Sequence, residues 1–129
     1  MKELKKILYT DDEPDVETVV EITVQTICDY DIKICPSGKE LVECVEEYSP
    51  DLILINIMMP EMEGQETFQN LKNNEKTKDI PIIFITTKTQ INEFEIFKDL
   101  GVIGLITKPF DPIKLCSDID RIWKDKYNQ

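Results

Sequence analysis

A parallel α/β fold, five strands alternating with five helices, is predicted by three observations. Short apolar runs and helical patterns alternate from one end of the chain to the other. Strands in such chains pair in parallel, and right-handed crossovers place helices on both faces of the sheet. One run, Leu52-Ile53-Leu54-Ile55, is continuously apolar, as a central strand covered on both faces requires. A length of 129 residues, 41% of them apolar and 32% charged, fits one domain with a full core.

Each element follows from its residues. Ile7-Leu8-Tyr9 is a strand that stops at Thr10-Asp11-Asp12, and Pro14 suits the first turn of the helix after it. Val16, Val19, Val20, Thr23, Val24 and Ile27 form a stripe at helical spacing. Ile32 and Ile34 alternate with Asp31 and Lys33, the pattern of a strand near an edge. Ser37 and Glu40 make a capping box. The helix it opens carries Leu41, Cys44, Val45 and Tyr48 on one face, and Pro50 stops it. After Leu52–Ile55 comes a loop, Met58 to Gly64, then a helix with Phe68 and Leu71 facing inward that ends in the polar stretch from Lys72 to Asp79. Ile80 to Ile85 is the fourth strand, stopping at Thr86-Thr87. A fourth helix carries Ile91, Phe94, Phe97 and Leu100 and closes at Gly101. Val102 to Ile106 is the fifth strand, followed by Thr107-Lys108-Pro109-Phe110. Asp111 caps a fifth helix with Pro112 at its first position; Leu115, Cys116, Ile119, Ile122 and Trp123 are its apolar positions.

Composition removes whole classes of function. The net charge is −11, so phosphate backbones and anionic lipid should repel the domain, and neither nucleic acid nor membrane is an expected partner. The chain has no histidine, which excludes Ser–His and Cys–His catalysis, imidazole zinc sites and a phosphohistidine relay within it. Cys28, Cys35, Cys44 and Cys116 form no C-x-x-C pair, and reduced structural thiols are expected. The N-terminus leads directly into a strand, with neither the apolar run nor the cleavage site of a signal peptide. No segment approaches the ~20 apolar residues of a membrane helix. A cytoplasmic protein is expected.

In open parallel sheets the functional crevice lies outside the carboxyl ends of the strands. The first strand leads there into Asp11-Asp12-Glu13 and the third into Asn56. The fourth leads into Thr86 and Thr87, and the fifth into Lys108. Adjacent carboxylates offer hard oxygen ligands suited to Mg²⁺, while a hydroxyl and an ammonium suit phosphate oxygens. This is the layout of a phosphoryl-transfer site without its nucleophile, because Asn56 is an amide and a carboxylate would be needed to form an acyl phosphate. Glycine occurs only at 38, 64, 101 and 104, so no phosphate-cradling loop supports a nucleotide enzyme or phosphohydrolase.

Over essentially its full length the chain resembles the receiver domain of bacterial two-component response regulators. The resemblance is carried by Asp11-Asp12, by Asp51-Leu52-Ile53-Leu54-Ile55 running into position 56, by Met59-Pro60-Glu61-Met62-Glu63-Gly64, by Thr86, and by Lys108-Pro109-Phe110. It implies a flavodoxin-like, three-layer (βα)5 fold of strand order 2-1-3-4-5, with residues 1–129 as one receiver domain and no output domain attached. It implies that Asp12 is the main carboxylate on Mg²⁺, with Asp11 beside it and the Met58 carbonyl completing the ligands. Thr86 would turn toward the phosphoryl oxygens, Lys108 would pair with the phosphoryl group, and Lys108-Pro109 would be a cis peptide. The partners implied are a histidine kinase or phosphotransfer protein, and a downstream protein or second copy on the face of the fourth helix, fifth strand and fifth helix, through residues such as Ile91, Phe94, Glu95, Leu105 and Ile122.

Two positions depart from the family pattern. By the resemblance Asn56 stands in place of the phospho-accepting aspartate, which would block or alter the usual phosphotransfer, weaken or abolish Mg²⁺ binding and make the chain a non-enzyme. Leu105 stands where the family usually has an aromatic switch residue. Asn56 fits either a natural receiver that works without phosphorylation or an Asp→Asn change that holds the unphosphorylated state. The rival to a phosphorelay receiver is a phosphorylation-independent adaptor with a vestigial acidic pocket.

Overall fold

The computed structural model describes residues 3–11, 13–35, 37–56, 63–87, 102–108 and 111–127. Its elements are β1 (Lys6–Thr10), α1 (Pro14–Thr23) with a widened last turn (Val24–Cys28), β2 (Asp31–Cys35), α2 (Gly38–Tyr48), β3 (Leu52–Asn56), α3 (Glu63–Lys72), β4 (Ile82–Thr87), β5 (Val102–Lys108) and α4 (Pro112–Tyr127). The helix expected over Ile91 to Leu100 lies outside the described residues.

All five strands join one parallel sheet of order β2-β1-β3-β4-β5, as the resemblance implied. β3 is buried at every position, which is why its sequence carries no polar alternation. β2 lies at the edge with Asp31 and Lys33 exposed. One face of the sheet packs Ile7, Tyr9, Leu54, Ile83 and Ile106 against Val20 and Val24 of the α1 segment and Leu115, Ile119, Ile122 and Trp123 of α4. The other packs Leu8, Ile53, Ile55 and Phe84 against Leu41 and Val45 of α2 and Phe68 and Leu71 of α3. Phe68 meets Phe84 edge-on at 5.3 Å between ring centroids, a favoured aromatic geometry.

Local signals explain the joints. Ser37 accepts a hydrogen bond from the Glu40 backbone N–H at 3.2 Å, half of the expected capping box, and Ser49 ends α2 with φ 53°. Asp51 pins the start of β1 to that of β3: its Oδ2 accepts from the backbone N–H of both Lys5 and Lys6 at 3.0 Å.

The strands run further into polar sequence than the apolar runs suggest. β4 starts after Pro81 and keeps Thr86 and Thr87, because these pair with Thr107 and Lys108 of an equally extended β5. The α1 stripe is narrower than its spacing implies. Val20, Thr23 and Val24 are buried, but Val19 is 49% and Ile27 54% exposed. The last turn is π-helical, with the Asp29 N–H reaching back to the Val24 carbonyl. A wider turn advances less angle per residue, so Cys28 rather than Ile27 comes round to the core side.

That turn overturns the expectation of four reduced thiols. Cys28 and Cys116, separated by 88 residues in sequence, form a disulfide with Cα atoms 5.3 Å apart, inside the range a bridge spans. The pairing is created by α4 packing beside α1, and no local motif encodes it. Beside it the Tyr30 hydroxyl donates to Asp120 Oδ1. Cys35 and Cys44 are free thiols, as expected. Ile122, expected on a partner face, is instead buried core, and Leu105 is partly buried against the α2/α3 side. Ile91, Phe94 and Glu95 lie outside the described residues. No helix among the described residues is long and apolar enough to cross a membrane.

Candidate functional site

Parallel register gathers the strand ends. Thr10 pairs with Ile55, so Asp11 emerges next to Asn56. Asn56 pairs with Ile85, which places Thr86 one step beyond it, and Thr87 pairs with Lys108. Four of the predicted positions therefore share one end of one sheet. For Thr86 and Lys108 only the backbone is described. Asp12, Met58 and Pro109, with the expected cis peptide, lie outside the described residues.

Asp11 and Asn56 are in direct contact and both buried, at 0% and 1% exposure. The Asn56 side-chain amide donates to Asp11 Oδ1 at 2.8 Å. The same oxygen accepts from the Glu13 backbone N–H at 3.1 Å, which fixes the chain just before α1 begins with its Glu17-to-Glu13 bond. The other oxygen, Oδ2, accepts from the hydroxyl of Tyr9. A buried carboxylate is costly unless hydrogen-bonded, and this one is held by at least three donors.

Tyr9 is the participant that motif reading misses. It is fully buried in the α1/α4 core. Burial, followed by its hydrogen bond to Asp11 and the charge there, pushes its phenol well above the ordinary range, so it is a neutral donor. The signal was present: residues two apart in a strand share a face, and a buried tyrosine needs a partner for its hydroxyl.

Chemically, the donor set is a hard-oxygen one, as Mg²⁺ requires. Asp11 is its described carboxylate. Among the described residues no group of three or more His, Cys, Asp or Glu side chains stands together to hold a metal. At the end of β3, Asn56 presents an amide whose N–H₂ points at Asp11.

The sequence model of the response regulator receiver domain matches residues 7–120. The chain belongs to that family. A probable cyclic di-GMP phosphodiesterase of Vibrio cholerae is 36% identical over 103 residues, 80% of this chain and 23% of that protein. The chemotaxis protein CheY4 of Vibrio cholerae superposes with a TM-score of 0.83 at 27% identity, covering 93% of this chain and 99% of that one. The receiver domain of the sensor histidine kinase PA1611 of Pseudomonas aeruginosa, solved with a magnesium ion in its active-site cleft, has a TM-score of 0.77 at 24% identity, over 92% and 97% of the two chains. The receiver spans from about a quarter to a half of the length of the curated relatives it matches.

Proposed function

We propose that this receiver signals through protein–protein contact, with phosphotransfer at the usual strand end blocked by Asn56. The observation that carries the reading is the Asn56 amide donating to Asp11 at 2.8 Å. An amide nitrogen facing the acid supplies hydrogen-bond neutralisation where an acceptor carboxylate would add negative charge, and an amide is not a nucleophile toward phosphorus at useful rates.

Around that block the remaining roles are assigned by residue type and strand-end position. Asp12 and Asp11, with the Met58 carbonyl, would hold Mg²⁺, whose chemistry is to neutralise charge on phosphoryl oxygens. Loss of one carboxylate at position 56 weakens that site. Thr86 and Lys108 would contact the phosphoryl group from the β4 and β5 ends. The partner implied is a histidine kinase or phosphotransfer protein, and the downstream partner is a protein.

The test is incubation with Mg²⁺ and a small acyl-phosphate donor, read by intact mass, alongside Asn56→Asp. The expected result is a phosphoryl mass on Asn56→Asp only. No gain on either protein supports the adaptor reading, in which the acidic pocket has no chemical role. A gain on the unaltered protein overturns the block and points to another acceptor, Asp11 or Asp12 first.

A further inference from the structure

We infer that Tyr9 is the positioning residue of this site: its buried hydroxyl sets the orientation in which Asp11 meets a divalent cation. The inference rests on the Mg²⁺ reading above. A carboxylate at the end of a strand has two side-chain torsions to settle. Here Oδ1 is turned to position 56 and to the Glu13 N–H, and Oδ2 is held by Tyr9. The donors on Oδ1 depend on a backbone turn and on residue 56. The donor on Oδ2 comes from a rigid ring with no exposed surface, locked in the core between β1 and the α1/α4 layer.

Each carboxylate oxygen has two lone-pair directions. Tyr9 takes one on Oδ2, so the ring fixes how the carboxylate is turned about its side-chain torsions. Partners of this kind, hydrogen-bonded to a ligand rather than to the metal, fix ligand orientation, and their loss typically lowers metal affinity 10–100-fold. Tyr9 thus links packing of the α1/α4 core to the geometry of the acid. The competing account is purely structural, with Asp11 serving only to satisfy a buried phenol.

Mg²⁺ titration by calorimetry separates the two accounts, using Asn56→Asp with and without Tyr9→Phe, and thermal melts in chelator alongside. The expected result is Mg²⁺ affinity about tenfold or more weaker when Tyr9→Phe is added. Equal or tighter binding overturns the inference and leaves the Mg²⁺ reading standing. Should the double variant not fold, the ¹³Cζ resonance of Tyr9 in Asn56→Asp serves instead: a shift on Mg²⁺ saturation supports the link, and an unmoved resonance overturns it. Should Asn56→Asp itself bind no Mg²⁺, the Mg²⁺ reading fails. The inference, which concerns a bound cation, is overturned with it.

Discussion

Gly104 on β5 lies so close to Ile122 of α4 that a Cβ added to the glycine would stand 2.6 Å from Ile122 Cγ2 and 2.7 Å from Cδ1. The helix is seated on the strand at a distance only hydrogen permits. Gly104→Ala should therefore destabilise the domain by about 1–3 kcal/mol, the usual cost of overpacking. The penalty should shrink in an Ile122→Ala background, because the clashing atoms are gone. Urea unfolding of the four proteins in this cycle checks both statements; an unchanged penalty would mean that α4 shifts to accommodate the methyl.

The Cys28–Cys116 bond closes a loop of 88 residues of sequence separation. Chain-entropy reasoning and measured disulfide removals both put such a cross-link at about 2–5 kcal/mol. Urea melts with and without reductant should differ by that amount, and Cys28→Ser should abolish the difference. Alkylation of the urea-unfolded protein without reductant should label Cys35 and Cys44 alone, whereas after reduction all four cysteines should react. In a reducing compartment the bond would open, and the domain would work at the lower stability.

Alkali should weaken the fold from about pH 9 upward. Burial, then the neighbouring Cys44, pushes the Cys35 thiol from 9.0 up to about 12. Burial, then Asp120, raises the Tyr30 phenol above its ordinary 10.0. Both groups are neutral when protonated, and the folded state holds the proton more tightly. Their contribution is complete below the unfolded pKa and is lost as pH climbs toward the folded one. For one such group the slope is about 1.4 kcal/mol per pH unit. Melting temperatures between pH 8 and 11 should fall, and Cys35→Ala should flatten the first part of the decline.

How much of this was legible varies with the range of the interaction. Leu52–Ile55 announces a doubly covered strand because burial on both faces removes polar alternation, and the α4 core positions Leu115, Cys116, Ile119 and Trp123 read correctly because 3.6-residue periodicity is local. Thr86, Thr87, Thr107 and Lys108 look like strand ends. They are strand because each has a partner across the ladder, which no single segment reveals. Ile27 reads as core until the π-helical turn moves Cys28 into its place, and the disulfide follows from that turn and from α4 together. At the site, Asp11 and Asn56 stand out by residue type. Tyr9 does not, because an apolar strand conceals a tyrosine whose hydroxyl has work at the strand's end.

The Cys28–Cys116 bond also decides how the domain would respond to tension. Of the whole chain, roughly forty residues lie outside the covalent ring, each adding at most about 3.5 Å when drawn straight. The oxidised domain therefore pays out only about a third of the length the reduced one can release. β1 lies outside the ring, so a pull would draw it from between β2 and β3 while the other four strands stay enclosed. Placed between two anchored neighbours, the domain would be a short tether when oxidised and a long one when reduced.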